Sequence, residues 1–114
     1  MTNAEFNEIA AEQIETCLNL LGVKGEEYDT DSNDRLHSFK IAAELQHITP
    51  KQALAGMLAK HTVSIYDMCA EGEHSLEKWT EKISDSINYL LLLKGMICEE
   101  LAKKEADLFC ETLK

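Results

Sequence analysis

Residues 75–101, SLEKWTEKISDSINYLLLLKGMICEEL, decide the fold. Leu76, Trp79, Ile83, Ile87, Leu90, Ile97 and Leu101 recur at the spacing of one helix face, not with the alternation of a strand. The pattern predicts a helix from near Ser75 almost to the C-terminus, with that apolar stripe turned inward. From Tyr89 to Leu93 the segment is apolar all round, which calls for burial on more than one side. A continuous helix of roughly 35 residues would span about 50 Å, more than the width of a compact domain of this size. The helix is therefore expected to break near Gly95 or to project into a partner chain.

Three further helices precede it. Thr49, Pro50 and Gln52 give a capping box with proline at the first helical position, opening a helix that should run to Gly72 with Leu54, Leu58, His61, Ile65 and Met68 as its inward stripe. Thr2 and Glu5 make a similar start for a first helix carrying Phe6, Ile9, Ala10, Gln13, Ile14, Cys17, Leu20 and Leu21 on one face and ending at Gly22. Its Glu5, Glu8, Glu12 and Glu15 point away from that face. A second helix, about Asp34 to Gln46, aligns Leu36, Phe39 and Ala43, and Ser32 or Asn33 would cap it after a loop over 23–33. The expectation is an all-α single domain over 1–114, a four-helix bundle with a long C-terminal helix, and a homo-oligomer.

The 114 residues leave no room for a second domain. Charges sum to 11 − 21 = −10, so non-specific binding to nucleic acid is excluded by repulsion. A single nucleotide remains compatible with that charge, because a few positioned Lys and Arg groups act at short range. No apolar run approaches a membrane span, and the N-terminus has neither a basic region nor an apolar stretch; no membrane association and a cytoplasmic location in a bacterial host are expected. Cys17, Cys69, Cys98 and Cys110 stand singly and are expected to be reduced thiols.

Four groups of residues could carry chemistry. Asp29, Asp31 and Asn33 mimic the first positions of a calcium loop, but Asp34 replaces its turn glycine and Lys40 its bidentate Glu, so a solvated loop is the better reading. Glu81, Asp85 and Asn88 fall on one strip of the fourth helix; Glu81 and Asp85 are candidate ligands for Mg²⁺, and a solvated helix start is the plainer alternative. Lys60, Ser64 and Asp67 share a face of the third helix, bordered by His61, where an ordinary polar face is again the plainer alternative. Lys24 and Arg35 flank a loop containing Tyr28, with Phe39 one turn beyond Arg35; cation and rings together would suit a base and its phosphate. No Gly-rich phosphate loop, nucleophile elbow or His-Glu-x-x-His is present.

The order Lys24-Gly25-Glu26-Glu27-Tyr28, Asp34-Arg35-Leu36-His37-Ser38-Phe39-Lys40, Lys60-His61-x-x-Ser64-Ile65-x-Asp67 and Asp85-x-x-Asn88-Tyr89-Leu90 resembles the nucleotide modification-associated domain of bacteriophages and prophages. The resemblance covers about residues 20 to 93. It implies a role in nucleotide metabolism or base modification, with a site where Arg35, Lys60, His61, Asp67, Asp85 and Asn88 meet. A second resemblance is to the all-α nucleotide pyrophosphatases of the MazG-like and dimeric dUTPase group, which hold Mg²⁺ with Glu-x-x-Glu and Glu-x-x-Asp. Glu12 and Glu15 match the first pair, whereas Glu81 and Asp85 are four apart and Lys82 stands three before Asp85.

The leading expectation is a small nucleotide-like ligand held by the second, third and fourth helices: Lys60 and Arg35 on phosphate, Phe39 or Tyr28 on a base, His61 donating a hydrogen bond or proton, and Asp85 with Asn88 orienting a metal, ribose or base edge. The alternatives are a Mg²⁺-dependent nucleoside triphosphate pyrophosphatase, and an acidic phage protein that inhibits a host nucleic-acid-binding or defence protein through its negative surface.

Overall fold

The computed structural model describes residues 1–28, with 23–28 by backbone alone, and residues 34–113. They form four helices: α1 (Asn3–Tyr28), α2 (His37–Gln46), α3 (Pro50–Ala70) and α4 (Leu76–Leu113). No strand occurs among the described residues. No helix among them is long and apolar enough to cross a membrane.

Local chemistry sets the helix starts. Thr2 N–H donates to Glu5 Oε2 at 2.8 Å and Glu5 N–H to Thr2 Oγ1 at 3.1 Å, closing the first capping box. The second is closed by Thr49 N–H on Gln52 Oε1 at 2.9 Å and Gln52 N–H on Thr49 Oγ1 at 3.2 Å. Ser75 Oγ accepts from Lys78 N–H at 3.1 Å as α4 begins. Ahead of α2, Asp34 Oδ1 takes the Leu36 N–H at 2.9 Å. Asn33 and Ser32, the expected caps, lie outside the described residues, as do Asp29 and Asp31 of the calcium-like loop.

The expected stop at Gly22 does not occur, and of the two alternatives for the last helix the break near Gly95 is not taken. α1 continues through Gly22 to Tyr28, and α4 passes Gly95 without a break. A glycine inside a helix costs only about 1 kcal/mol relative to alanine and ends it when the backbone turns left-handed. Among the described residues that turn is taken by His47, at φ 58°, after α2 and by Gly72, at φ 69°, after α3, but not by Gly22 or Gly95.

α4 is the element on which the others assemble. Gln13 and Cys17 of α1 meet Ser84, and Leu21 shares a hollow with Leu91 and Leu92, so α1 runs parallel to α4. Cys17 and Ser84, both fully buried and small, let the two backbones approach; Gln13 Nε2 donates to Ser84 Oγ at 2.7 Å across the contact. α3 runs antiparallel to α4, with Lys51 on Glu100 at 3.1 Å at one end and His61 beside Asp85 further along. α2 packs on α3 and reaches α4, where Phe39 meets Tyr89 edge-on with ring centroids 6.4 Å apart. Leu36, Phe39, Leu54 and Met96 form the core, with Met57, Tyr89, Leu92 and Leu93 packed against it.

The face that α4 turns inward is the reverse of the expected one. Ser84, Asn88 and Met96 are buried, while of the expected stripe Leu76, Ile83, Leu90, Ile97 and Leu101 are exposed and Trp79 and Ile87 half-buried. An apolar stripe faces the core only where neighbours reach it, and here α1, α2 and α3 all approach the opposite side, through small or mixed residues. The molecule is long for its size, 60 × 34 × 26 Å, with a radius of gyration of 17.8 Å against about 13 Å for a compact 100-residue domain. Residues 101–113 of α4 are exposed throughout.

Lys40 ties α2 to both sides, to Asp34 Oδ2 at 2.8 Å and Glu99 Oε1 at 2.7 Å. The Lys40 ammonium holds the Asp34 carboxyl below its usual 3.8, and the Asp34 hydrogen bond, with that of Glu99, raises Lys40 above 10.5. The Asp34 contribution to stability is thus complete above pH 3.8 and is lost as pH falls through the lower folded value; that of Lys40 is complete below pH 10.5 and is lost as pH rises through the higher one. Thermal melts of wild type and Lys40→Met should differ at neutral pH and converge in acid once pH has fallen through the lowered folded value of Asp34. A gap that persists there would assign the role of Lys40 to its aliphatic stem.

Candidate functional site

Between the second half of α1 and the bundle of α2, α3 and α4 lies a cavity of about 240 Å³, lined by Leu21, Arg35, Ser38, Phe39, Met57, Asp85, Asn88, Tyr89 and Leu92. A second, more open hollow of about 540 Å³ shares Leu21, Arg35 and Leu92 with it and extends along Leu91, Gly95 and Glu99. Arg35 therefore stands at the junction of the two. Each helix contributes for a local reason: Asp34 fixes the turn that presents Arg35, the core face of α2 carries Phe39, and the inward face of α4 carries Asp85, Asn88, Tyr89 and Leu92.

Asn88 is the unusual group. Its side chain is 5% exposed, and neither Oδ1 nor Nδ2 has a hydrogen-bond partner among the described residues. An unpaired buried amide costs about 1–3 kcal/mol, so native folds rarely keep one without a use. Near it, His61 Nδ1 is 3.9 Å from Asp85 Oδ2, too long for a hydrogen bond, and the His61 ring lies 5.1 Å from that of Tyr89. Arg35 is exposed and makes no ion pair among the described residues.

Of the residues singled out from sequence, Arg35, Phe39, Asp85 and Asn88 meet in the cavity wall, with His61 beside Asp85. Lys60 and Asp67 are exposed on α3, Ser64 is half-buried there, and none of the three lines either hollow. Lys24 and Tyr28 belong to the last turns of α1 rather than to a loop, and their side chains lie outside the described residues. Glu81 is exposed. Among the described residues no three His, Cys, Asp or Glu side chains gather as a metal site, so the candidate Mg²⁺ pair of Glu81 and Asp85 gains no further ligand and no metal-dependent step is derived. The four cysteines are free, Cys17 buried and the others exposed.

Sequence reasoning left out Leu21, Ser38, Met57, Tyr89 and Leu92 as site residues. Tyr89 had a signal, since it adjoins Asn88 and follows Asp85 by one turn; the others are ordinary helix residues until the packing is known.

Over the described residues the fold and its site define an all-helical protein of four helices with a polar-tipped cavity against a long C-terminal helix. No family model matches the chain, nor does any curated protein or any solved structure.

Proposed function

We propose that the protein binds one small nucleotide-like molecule in the cavity between α1, α2, α3 and α4. The observation that carries this reading is Asn88: a donor and an acceptor side by side, buried and unpaired, in the wall of a base-sized space. A base edge or a ribose diol satisfies both atoms at once. Phe39 and Tyr89 supply flat apolar walls for a base, and Asp85 is placed to accept from a sugar hydroxyl. Arg35, at the junction with the outer hollow, is placed for phosphate, which would then extend along that hollow. Together the two spaces have the dimensions of small-molecule pockets, about 300–1,000 Å³.

The test is a thermal melt against ribo- and deoxynucleosides and their mono-, di-, tri- and cyclic phosphates, each with and without Mg²⁺. A ligand at 100 times its Kd stabilises the fold by about 2.7 kcal/mol, a shift of several degrees. Arg35→Ala should weaken binding of the phosphorylated member by about 10- to 100-fold, the loss of a charge-assisted hydrogen bond, and leave its nucleoside unaffected. Lys60→Ala, outside the cavity wall, should change neither. No shift with any member of the panel overturns the reading, and an unchanged Arg35→Ala variant overturns the place given to phosphate.

A further inference from the structure

The outward face of α4 carries Leu76, Ile83, Leu90, Ile97, Leu101 and Leu108 at steps of 7, 7, 7, 4 and 7 residues, with relative exposures of 81, 37, 53, 38, 53 and 62%. Half-buried Ile87 falls on the same line. These are the d and a positions of a heptad held over more than four repeats: Leu76, Ile83, Leu90, Ile97 and Lys104 at d, and Thr80, Ile87, Lys94, Leu101 and Leu108 at a. A solvent-facing helix side has no reason to keep a 3.5-residue apolar period, and a supercoiled helix pair requires one. The seam also continues onto residues 101–113, which are exposed throughout.

We infer that α4 pairs with α4 of a second copy of this chain, as an antiparallel two-stranded coiled coil on the side opposite the cavity. The charges choose the orientation. A parallel pair would stack Lys94 on Lys94 and Lys104 on Lys104 in two layers, like charges in direct contact. Antiparallel pairing about residue 92 avoids both. It sets Leu76 against Leu108 of the second copy, Ile83 against Leu101 and Ile87 against Ile97, while Lys94 faces Leu90 and Lys104 faces Thr80. Sliding by one heptad towards the N-terminus sets Leu108 against position 69, outside α4, and leaves it without a partner. The size is adequate: a strip about 50 Å long and about 12 Å wide covers roughly 600 Å². Half-buried Trp79, which flanks the strip, brings it towards the roughly 800 Å² per partner of a standard interface.

Light scattering and sedimentation equilibrium of the full chain should give twice its 12.8 kDa. Leu101→Glu with Leu108→Glu, both on the projecting segment, should give a monomer whose helical circular dichroism and cooperative melt are kept. Orientation is read by oxidation in a chain with Cys69, Cys98 and Cys110 replaced by Ser and Cys17 retained. Ile83→Cys together with Leu101→Cys should cross-link two chains, and either substitution alone should not. A monomeric wild type up to millimolar concentration, a dimer that survives the double Glu substitution, or a cross-link through a single cysteine each overturns the inference. None of these readouts involves a nucleotide, so this pairing and the ligand reading fail separately.

Discussion

Replacing Asn88 by leucine raises the melting temperature of the ligand-free protein and abolishes its response to nucleotides. The substitution removes two buried polar atoms that have no hydrogen-bond partner among the described residues and puts an apolar side chain of similar size beside Phe39, Tyr89 and Leu92. The expected gain is about 1–3 kcal/mol, the desolvation penalty of an orphaned group. Stability and function move in opposite directions only if the amide is kept for a ligand; a change in packing alone would not separate them. Differential scanning calorimetry reads the first effect and titration calorimetry with the nucleotide found by thermal melt reads the second. A destabilised Asn88→Leu protein would assign the amide a structural role and remove the main support for the site.

Leu54→Ala costs about 2–5 kcal/mol, a large part of the 5–15 kcal/mol that holds a domain of this size together. Leu54 is fully buried at the centre of the core formed with Leu36, Phe39 and Met96, so truncation leaves a cavity where α2, α3 and α4 meet. The melting temperature should fall by roughly 10–20 °C. Leu45→Ala, at a side chain that is 78% exposed on α2, should shift it by no more than about 0.5 kcal/mol's worth. Urea titration checks both through the midpoint. Because Leu54 shares its core cluster with Phe39, Leu54→Ala should also loosen the cavity wall and weaken ligand binding, whereas Leu54→Met, nearly equal in volume, should keep fold and binding within about 1.5 kcal/mol.

Much of the helical framework was legible in the chain because capping is local. Thr2 with Glu5 and Thr49 with Gln52 place donor and acceptor three residues apart, and the structure closes both boxes. The inward faces of α2 and α3 were legible for a related reason: Leu36, Phe39 and Ala43 on one, Leu54 and Met68 on the other, are the apolar side of helices whose remaining residues are mostly polar. Gly22 misled, since glycine permits a helix to end without requiring it, and for the same reason Gly95 left a break as only one of two alternatives.

α4 shows where sequence stops being sufficient. It is apolar on two sides, Leu76, Ile83, Leu90 and Ile97 on one and Leu92 and Met96 on the other, so periodicity establishes a helix without choosing its buried face. The choice belongs to the neighbours. Cys17 against Ser84 draws α1 close, Lys51 with Glu100 aligns α3, and Phe39 on Tyr89 seats α2, all on the side that carries Asp85 and Asn88. By itself the sequence determined four helices, two of their caps and the all-α class, because hydrogen bonds and helical period act within a few residues. Only the tertiary structure decided that Arg35, Phe39, Asp85, Asn88 and Tyr89 surround one cavity and that the long apolar seam of α4 looks outward, because both depend on contacts between residues far apart in the chain.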